Sequence, residues 1–378
     1  MVYNNLIMNN GITEYFENVE LTKEYDGYFC KISDVITISI LGCICGLKNT
    51  KQIHQWASNT RISKFLKEKF GINHVPCYYW ILSLLKIISP ESLNDCFMCW
   101  VKSFTHVERN AVISIDGKTI RSTTKKKKYP HPLSIISAQL CEYGVTLAQH
   151  YDDVGNEIIA VQELLQMLNI EGQMIVADAL NCQKETAEIV VNKGGYYLFC
   201  VKDNHPKLRA DIENFLQDNL GNSDVVKSSA TFEESRDRVE ERSAYVTFNI
   251  DNIQQKGDWP NLKCIGAIHR EVTKGTTKSS EWHYYISNRD LFPEELLYSA
   301  RMEWTVETMH WLLDVDLLED ACRVEDKTVQ RNINMFRKIS INMIKRFRQG
   351  KQYRKKPISN IMFDCLLDHD LLLEVLKN

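Results

Sequence analysis

No apolar run in the sequence is long enough to cross a bilayer; even Val35 to Gly46 falls short, so a membrane-spanning role is not expected. A complete zinc-ligand set is also missing. Cys96-Phe-Met-Cys99 has the right internal spacing, but no second CxxC or HxxxH pair follows it, so helix packing is the expected use of these thiols. Gly117-Lys-Thr119 resembles the end of a nucleotide-binding loop, but the earlier glycine that loop requires would fall at Val112, so no nucleotide cofactor is expected. Positive charge is not in excess either, the formal net charge being -3, so contact with a polyanion would depend on where the charges lie. No cleavable leader is recognisable ahead of the cysteines. The twelve of them, irregularly spaced and often inside apolar runs, are expected to be reduced, mostly buried thiols of a cytoplasmic protein.

What remains is an ordinary globular composition, 44% hydrophobic and 25% charged over 378 residues, enough for two or three domains. Helical periodicity dominates residues 1–107, with segments at Ile32 to Leu47, Thr50 to Phe70, Cys77 to Leu85 and Pro90 to Phe104. The pattern then changes. Ala111-Val-Ile-Ser-Ile-Asp116 is β-branched, apolar and closed by a carboxylate, and Gln173-Met-Ile-Val-Ala-Asp178 repeats that form. Between them come a hairpin (Leu133 to Leu140 and Val145 to Tyr151) and a helix from Glu157 to Leu168, whose start Asn156 and Glu157 are expected to cap. Asn181 is expected to cap the next helix, and Tyr196 to Val201 forms a fifth strand. This order predicts an α/β protein with a mixed sheet, and by analogy a ribonuclease-H-like catalytic domain over 108–205 and 284–348. Residues 206–283 interrupt the alternation and are expected to form a β-rich insertion. A single long helix from Glu294 to Asp314 follows, and 349–378 is a basic segment with a C-terminal helix.

Two strands ending in Asp, if adjacent, would present Asp116 and Asp178 at one sheet edge, where hard cations such as Mg²⁺ find oxygen ligands. Phosphodiester cleavage gains from two such ions about 3.5 to 4 Å apart. Glu307, within Trp304-Thr-Val-Glu-Thr-Met-His-Trp311, lies on a helix too aromatic for a surface face and is expected to turn inward as a third carboxylate. Around this site Lys118 and Arg121 are candidate phosphate contacts, as is Lys202 at the end of the fifth strand. Arg301 is a further candidate DNA contact, and His310 a near-site hydrogen-bonding group. The run Lys125 to Lys128 is expected to be solvated. Eleven Lys and Arg with no Asp or Glu, between Lys327 and Lys356, make a candidate polyanion-binding stretch.

Taken in order, Ile115-Asp-Gly-Lys-Thr-Ile-Arg121, Asn156-Glu-Ile158, Asp178-Ala with Cys182-Gln-Lys184, Gly194-Gly-Tyr196, Val306-Glu307, His310-Trp311, Leu313-Asp-Val315 and Glu319-Asp320 resemble the H-repeat-associated family of DDE insertion-sequence transposases. The resemblance spans nearly the whole chain, including the helical N-terminal domain. It implies a ribonuclease-H-like core in which Asp116, Asp178 and Glu307 use Mg²⁺, with Mn²⁺ as a substitute, to cut double-stranded DNA at element ends and join the freed 3′-hydroxyl to target DNA. A homodimer on DNA in a prokaryotic cytoplasm, associated with the nucleoid when bound, is the corresponding expectation. Arg238-Val-Glu-Glu-Arg242 resembles a family motif within the β-rich insertion. The chain departs from the family in three places. Glu303 replaces a His four residues before Glu307, one residue is missing between Glu307 and His310-Trp311, and Lys202-Asp-Asn-His205 replaces Lys-Gly-Asn-Gln. The missing residue rotates the downstream helix by roughly 100 degrees and makes Asp314 an alternative third ligand. A DNA-binding relic without activity, or a nuclease that cuts without joining, are the rival expectations.

Overall fold

A computed structural model of the protein describes residues 12–25, 30–124, 129–235 and 237–377; the lysine run 125–128 lies outside them. The N-terminal helices are α1 (Ile32–Ile44), α2 (Thr50–Ala57), α3 (Thr60–Phe70), α4 (Tyr78–Leu85) and α5 (Pro90–Phe104). Thr50 to Phe70 is therefore two helices. The break falls where Asn59 leaves the helix and its side chain accepts from the Arg61 amide, capping α3. Cys96 and Cys99 both lie in α5, the first half-buried and the second exposed.

The strands and helices that follow are β1 (Val112–Ile120), β2 (Leu133–Leu140), β3 (Val145–Asp152), α6 (Glu157–Met167), β4 (Met174–Ala177), α7 (Lys184–Asn192), β5 (Tyr196–Val201) and α8 (Pro206–Asn219). Then come β6 (Lys227–Ser235), β7 (Arg238–Thr247), β8 (Cys264–Lys274), β9 (Thr277–Ser287), α9 (Pro293–Met302), α10 (Trp304–Val315), α11 (Lys327–Phe347), α12 (Ile358–Leu367) and α13 (His369–Lys377). One sheet runs β3-β2-β1-β4-β5-β9-β8-β7-β6; β1, β4 and β5 are parallel and the other pairings antiparallel. The β3-β2-β1-β4-β5 half, with its crossover helix α6, is a ribonuclease-H-like core. The segment after α8 does not stand apart, because β9 pairs with β5 and carries β8, β7 and β6 outward on the same sheet. Strand β6 escapes a pattern-based search because it is polar and exposed along almost its whole length.

Both faces of the central strands are buried, as parallel strands require. Ile113, Ile115, Ile175, Ala177 and Phe199 face the core shared with α6 and α7, whereas Val112, Val176, Leu198 and Cys200 face the cluster that includes Leu296, Leu297 and Ala300 of α9. The N-terminal helices share the first core. Helix α11 lies against α1, α4, α5 and β3, and Asn332 donates to the carbonyls of Leu85 and Ile88.

Helix α11 corrects the polyanion-binding expectation for its basic residues. Arg337 and Lys338 are almost fully buried, Lys338 donating to Ser137 Oγ (2.6 Å) and Gln149 Oε1 (2.7 Å), and burial pulls its ammonium down to about 7. Lys345 donates to the Gly144 carbonyl, Arg331 pairs with Asp153, and Arg346 stacks on Phe104 at 4.3 Å. These cations are committed to the interior. Glu319, also fully buried, gathers several of them. Burial works against its charge, but Arg337, Lys118 and Lys338 hold its carboxyl below the usual range. Removing one member of such a network strands the others. Glu319→Ala is therefore expected to cost about 3–5 kcal/mol in denaturant unfolding, and a loss below about 1 kcal/mol would show the network to be dispensable.

Candidate functional site

The parallel register of β1 and β4 builds the site. Val112 lies opposite Met174 and the pairing runs to Ile115 opposite Ala177, so the next residue on each strand is Asp116 and Asp178. Alternation along a strand sets their direction. Asp116 follows Val112 and Ser114, and Asp178 follows Met174 and Val176, on the face covered by α9 and α10. Asp116 is not at a strand end, since β1 continues to Ile120 against β2; it lies where the β4 pairing ends. Asp178 does end its strand. Its Oδ1 accepts from the Asn181 amide (3.2 Å) and from Asn181 Nδ2 (2.9 Å), so Asn181 orients this carboxylate, and α7 begins only at Lys184. Asn204 braces the same turn by donating to the Ala179 carbonyl at 2.6 Å.

Helix α10 brings its side chains along β1 in step. Thr305 Oγ1 lies 3.2 Å from Ser114 Oγ, His310 Nδ1 lies 3.4 Å from Asp116 Oδ2, and Asp314 pairs with Lys118. Nine helical residues and four strand residues each advance roughly 13 Å, which explains why the contacts stay matched. At 3.6 residues per turn Glu303, Glu307, His310 and Asp314 share one flank of this helix. The single long helix expected here is broken at Glu303 into α9 and α10.

Glu303 is the residue the break places deepest. Its carboxyl is pushed up to about 7, first by burial and then by the charges of Asp178, Glu307 and Asp116, with Lys202 opposing them. Glu157 responds in the same way. Asn156 caps the start of α6 as expected, its Oδ1 accepting from the Ile159 amide, whereas Glu157 is the first residue of that helix and its carboxyl turns toward the site. There burial and then Asp116 and Asp178 raise its pKa, opposed by a hydrogen bond from Asn181. Gly117 makes room for it, because a Cβ at that position would lie 2.7 Å from the Glu157 carboxyl carbon.

Other expected site residues fall differently. Lys118 Nζ is held by Asp314, by Glu319 at 3.2 Å and by Asp320 at 3.7 Å, and its side chain is only 12% exposed, so it faces an internal network and not an open groove. Asp314, the alternative third ligand, belongs to that network and pairs with Lys118. Arg121 is exposed just past β1, and Lys202 is exposed at the end of β5 with Glu303 among its charge partners. Arg301 pairs with Glu233 of β6. Glu307 is exposed, and its neighbours Trp304 and Trp311 are 52% and 58% exposed, so this aromatic face is not the buried one that the composition suggests. The buried residues of α10 are Val306, Met309, Leu312 and Leu313. In the sequence Glu303 stands out only as a departure from the family pattern, whereas Glu157 lies within Asn156-Glu-Ile158, one of the matched motifs, beside the capping residue.

The donor set suits a hard divalent ion: Asp116, Asp178, Glu303, Glu307 and Glu157 offer carboxylate oxygens, with one imidazole beside them. Burial is the first cause of the raised Glu303 carboxyl, and the charges of Asp178, Glu307 and Asp116 add to it against Lys202; a cation would relieve that second part. Among the described residues no three His, Cys, Asp or Glu are drawn to the spacing that a bound ion would impose.

Comparison with known proteins gives these side chains a context. Residues 13–101 match the DDE_Tnp_1-associated family model, and residues 109–343 match the transposase DDE domain. The "H repeat-associated putative transposase YhhI" of Escherichia coli (strain K12) is 33% identical over 323 residues, covering 83% of this chain and 85% of that protein. The "Putative transposase YncI" of Escherichia coli O157:H7 is 28% identical over 341 residues, covering 87% and 86%. A solved piggyBac transposase synaptic complex with hairpin DNA aligns with a TM-score of 0.45 at 11% identity, over 96% of this chain and 75% of that one. Among the described residues no helix is long and apolar enough to cross a membrane. With the DDE domain matched over most of its length and a relative one-third identical across both parts, the chain belongs to the H-repeat-associated DDE transposases.

Proposed function

We propose that the protein cuts double-stranded DNA at the ends of a mobile element and joins the freed 3′-hydroxyl to target DNA, using Asp116, Asp178 and Glu307 with divalent metal. The observation that carries this is the β1/β4 register, which sets two carboxylates on adjacent parallel strands under the helix that bears Glu307. DDE domains generally use divalent metals, and Mg²⁺ matches the all-oxygen donor set, with Mn²⁺ as its substitute. When bound, such ions activate the attacking oxygen and stabilise the leaving one.

The chain's own residues supply the rest. Asn181 fixes the rotamer of Asp178 through two hydrogen bonds. His310 stands 3.4 Å from Asp116, where its imidazole can hold that carboxylate in place. Lys202, exposed at the end of β5, presents a point charge to phosphate oxygens. Double-stranded DNA is accordingly the proposed partner, with two copies of the chain acting on paired element ends.

Asp116→Asn and Asp178→Asn are each expected to lower Mg²⁺-dependent nicking of DNA carrying the element ends by more than about 100-fold, beyond the loss typical of an outer-shell partner. Full nicking by either variant would overturn the assignment. Pre-cleaved ends presented to the wild-type protein should yield joined product; cutting without joining would identify a nuclease. A second expectation concerns pH. The Glu303 carboxyl titrates near 7 when folded and near its ordinary 4.5 when unfolded, so the folded state binds its proton more tightly. Its contribution to stability is fully present below about 4.5 and lost as pH rises through about 7. The metal-free protein should therefore melt at a lower temperature at pH 8 than at pH 6. Glu303→Gln should flatten that slope, and Mg²⁺ should offset it; an unchanged slope in Glu303→Gln would show the loss arises elsewhere.

A further inference from the structure

We infer that Glu157 is a positioning residue for the second carboxylate: acting through Asn181, it fixes from the far layer of the sheet which oxygen Asp178 turns toward a divalent ion. The inference rests on the proposal that Asp178 holds metal. Asn156 alone caps α6, its Oδ1 accepting from the Ile159 amide, which leaves the Glu157 side chain free for another task. Three observations identify that task. The first is how Asn181 divides its hydrogens. Asn181 is fully buried and its Nδ2 donates to Asp178 Oδ1 at 2.9 Å, while its Oδ1 meets no hydrogen-bond partner among the described residues. Its hydrogen bond to Glu157 therefore comes from the same Nδ2, so the two hydrogens of one amide go to two carboxylates. The Asn181 main-chain amide also donates to Asp178 Oδ1, so both bonds fall on one oxygen and Oδ2 is the one left to face an ion.

The second observation is Gly117. A Cβ there would lie 2.7 Å from the Glu157 carboxyl carbon and 2.8 and 3.0 Å from its oxygens. Gly117 is not among the glycines with positive φ, so it supplies room and not a special backbone conformation, in the middle of a strand that glycine otherwise weakens. The third is the place Glu157 occupies. Helix α6 packs on the face of Ile113 and Ile115, opposite the one that bears Asp116, and touches the turn Ala179–Asn181. A glutamate serving only the positive end of the helix dipole could do so from solvent. Glu157 is instead half-buried where the charges of Asp116 and Asp178 both oppose its own, and the bond from Asn181 is what holds it there. An aspartate at 181 would add another negative charge, and an apolar side chain would leave both carboxylates without this donor. An amide offers a hydrogen to each.

Mn²⁺ binding by the DNA-free protein, followed by electron paramagnetic resonance of the free ion, tests this apart from catalysis. Glu157→Ala and Asn181→Ala should each weaken Mn²⁺ binding by about 10- to 100-fold, the loss typical of an outer-shell partner. Because Glu157 acts through Asn181, the double variant should bind within about twofold of Asn181→Ala alone, whereas independent effects would multiply. Gly117→Ala displaces the carboxyl without removing its charge. It should reproduce the Glu157→Ala loss in the wild-type background and add nothing in the Glu157→Ala background. This second pair decides the matter if melting of metal-free Asn181→Ala shows it to be misfolded. Losses that multiply in either cycle of folded variants would make Glu157 an independent ligand or charge and overturn the inference, as would Glu157→Ala binding Mn²⁺ like the wild type. Wild-type protein that binds no Mn²⁺, or Asp178→Asn that binds it undiminished, would overturn the underlying metal proposal instead.

Discussion

Two like charges held side by side on neighbouring parallel strands are the constraint around which the molecule is organised. The pairing of Ile115 with Ala177 leaves Asp116 and Asp178 nowhere to go but the same sheet face, and helix α10 covers that face. Partial removal from water makes their repulsion matter, because a charge pair that costs about 1 kcal/mol in bulk solvent costs several times that near a protein surface. The consequences appear in neighbouring groups. Burial first, and then the charges of Asp116 and Asp178, make Glu303 and Glu157 take up protons more readily than free carboxylates; Asn181 donates to both Asp178 and Glu157, and Gly117 forgoes a side chain so that the Glu157 carboxyl can fit.

A second anionic cluster lies close by, and Lys118 keeps it apart. Two residues past Asp116 on the same strand face, its ammonium gathers Asp314, Glu319 and Asp320, while Arg337 neutralises Glu319 from behind. Without that cation the flank of α10 would present three acidic groups, Glu303, Glu307 and Asp314, toward Asp116. With it, Asp314 is drawn away and the negative potential concentrates at Glu303 and Glu307. The shortened spacing after Glu307 is thus absorbed by a pairing. It also leaves His310 beside Asp116, where matched advances of helix and strand put it.

Much of this was legible in the sequence because it depends on local pattern. Apolar runs closed by Asp116 and Asp178 mark their strands, the polar turn Cys141 to Gly144 marks the hairpin, and the ordered motifs give the family. What the sequence conceals depends on direction and neighbours. The aromatic residues of Trp304 to Trp311 suggest an inward face, but helical rotation turns Val306, Met309 and Leu313 to the core and leaves the tryptophans out. The basic stretch from Lys327 resembles a DNA-binding surface until its partners are known. Arg337 and Lys338 meet Glu319, Ser137 and Gln149 from elements far away in the chain, which no local window contains. Strand β6 has no hydrophobic alternation to detect, since pairing with β7 and not burial defines it.

The exposed outer sheet is linked to the same constraint. Glu240 collects Arg238, Arg242 and Arg270; Arg270 reaches on to Trp304, and Arg301 of α9 pairs with Glu233 of β6. These contacts fall on the two helices that meet at Glu303. A sheet extended outward from β5 therefore holds both sides of the break that aims Glu303 at Asp178 and Glu307 outward beside it. Within Arg238-Val-Glu-Glu-Arg242, Glu240 is the shared partner of three arginines, one of which, Arg270, reaches the Trp304 ring of α10. Loss of that hub would leave β6 to β8 paired by their ladders. It would also leave Arg238, Arg242 and Arg270 without their shared carboxylate.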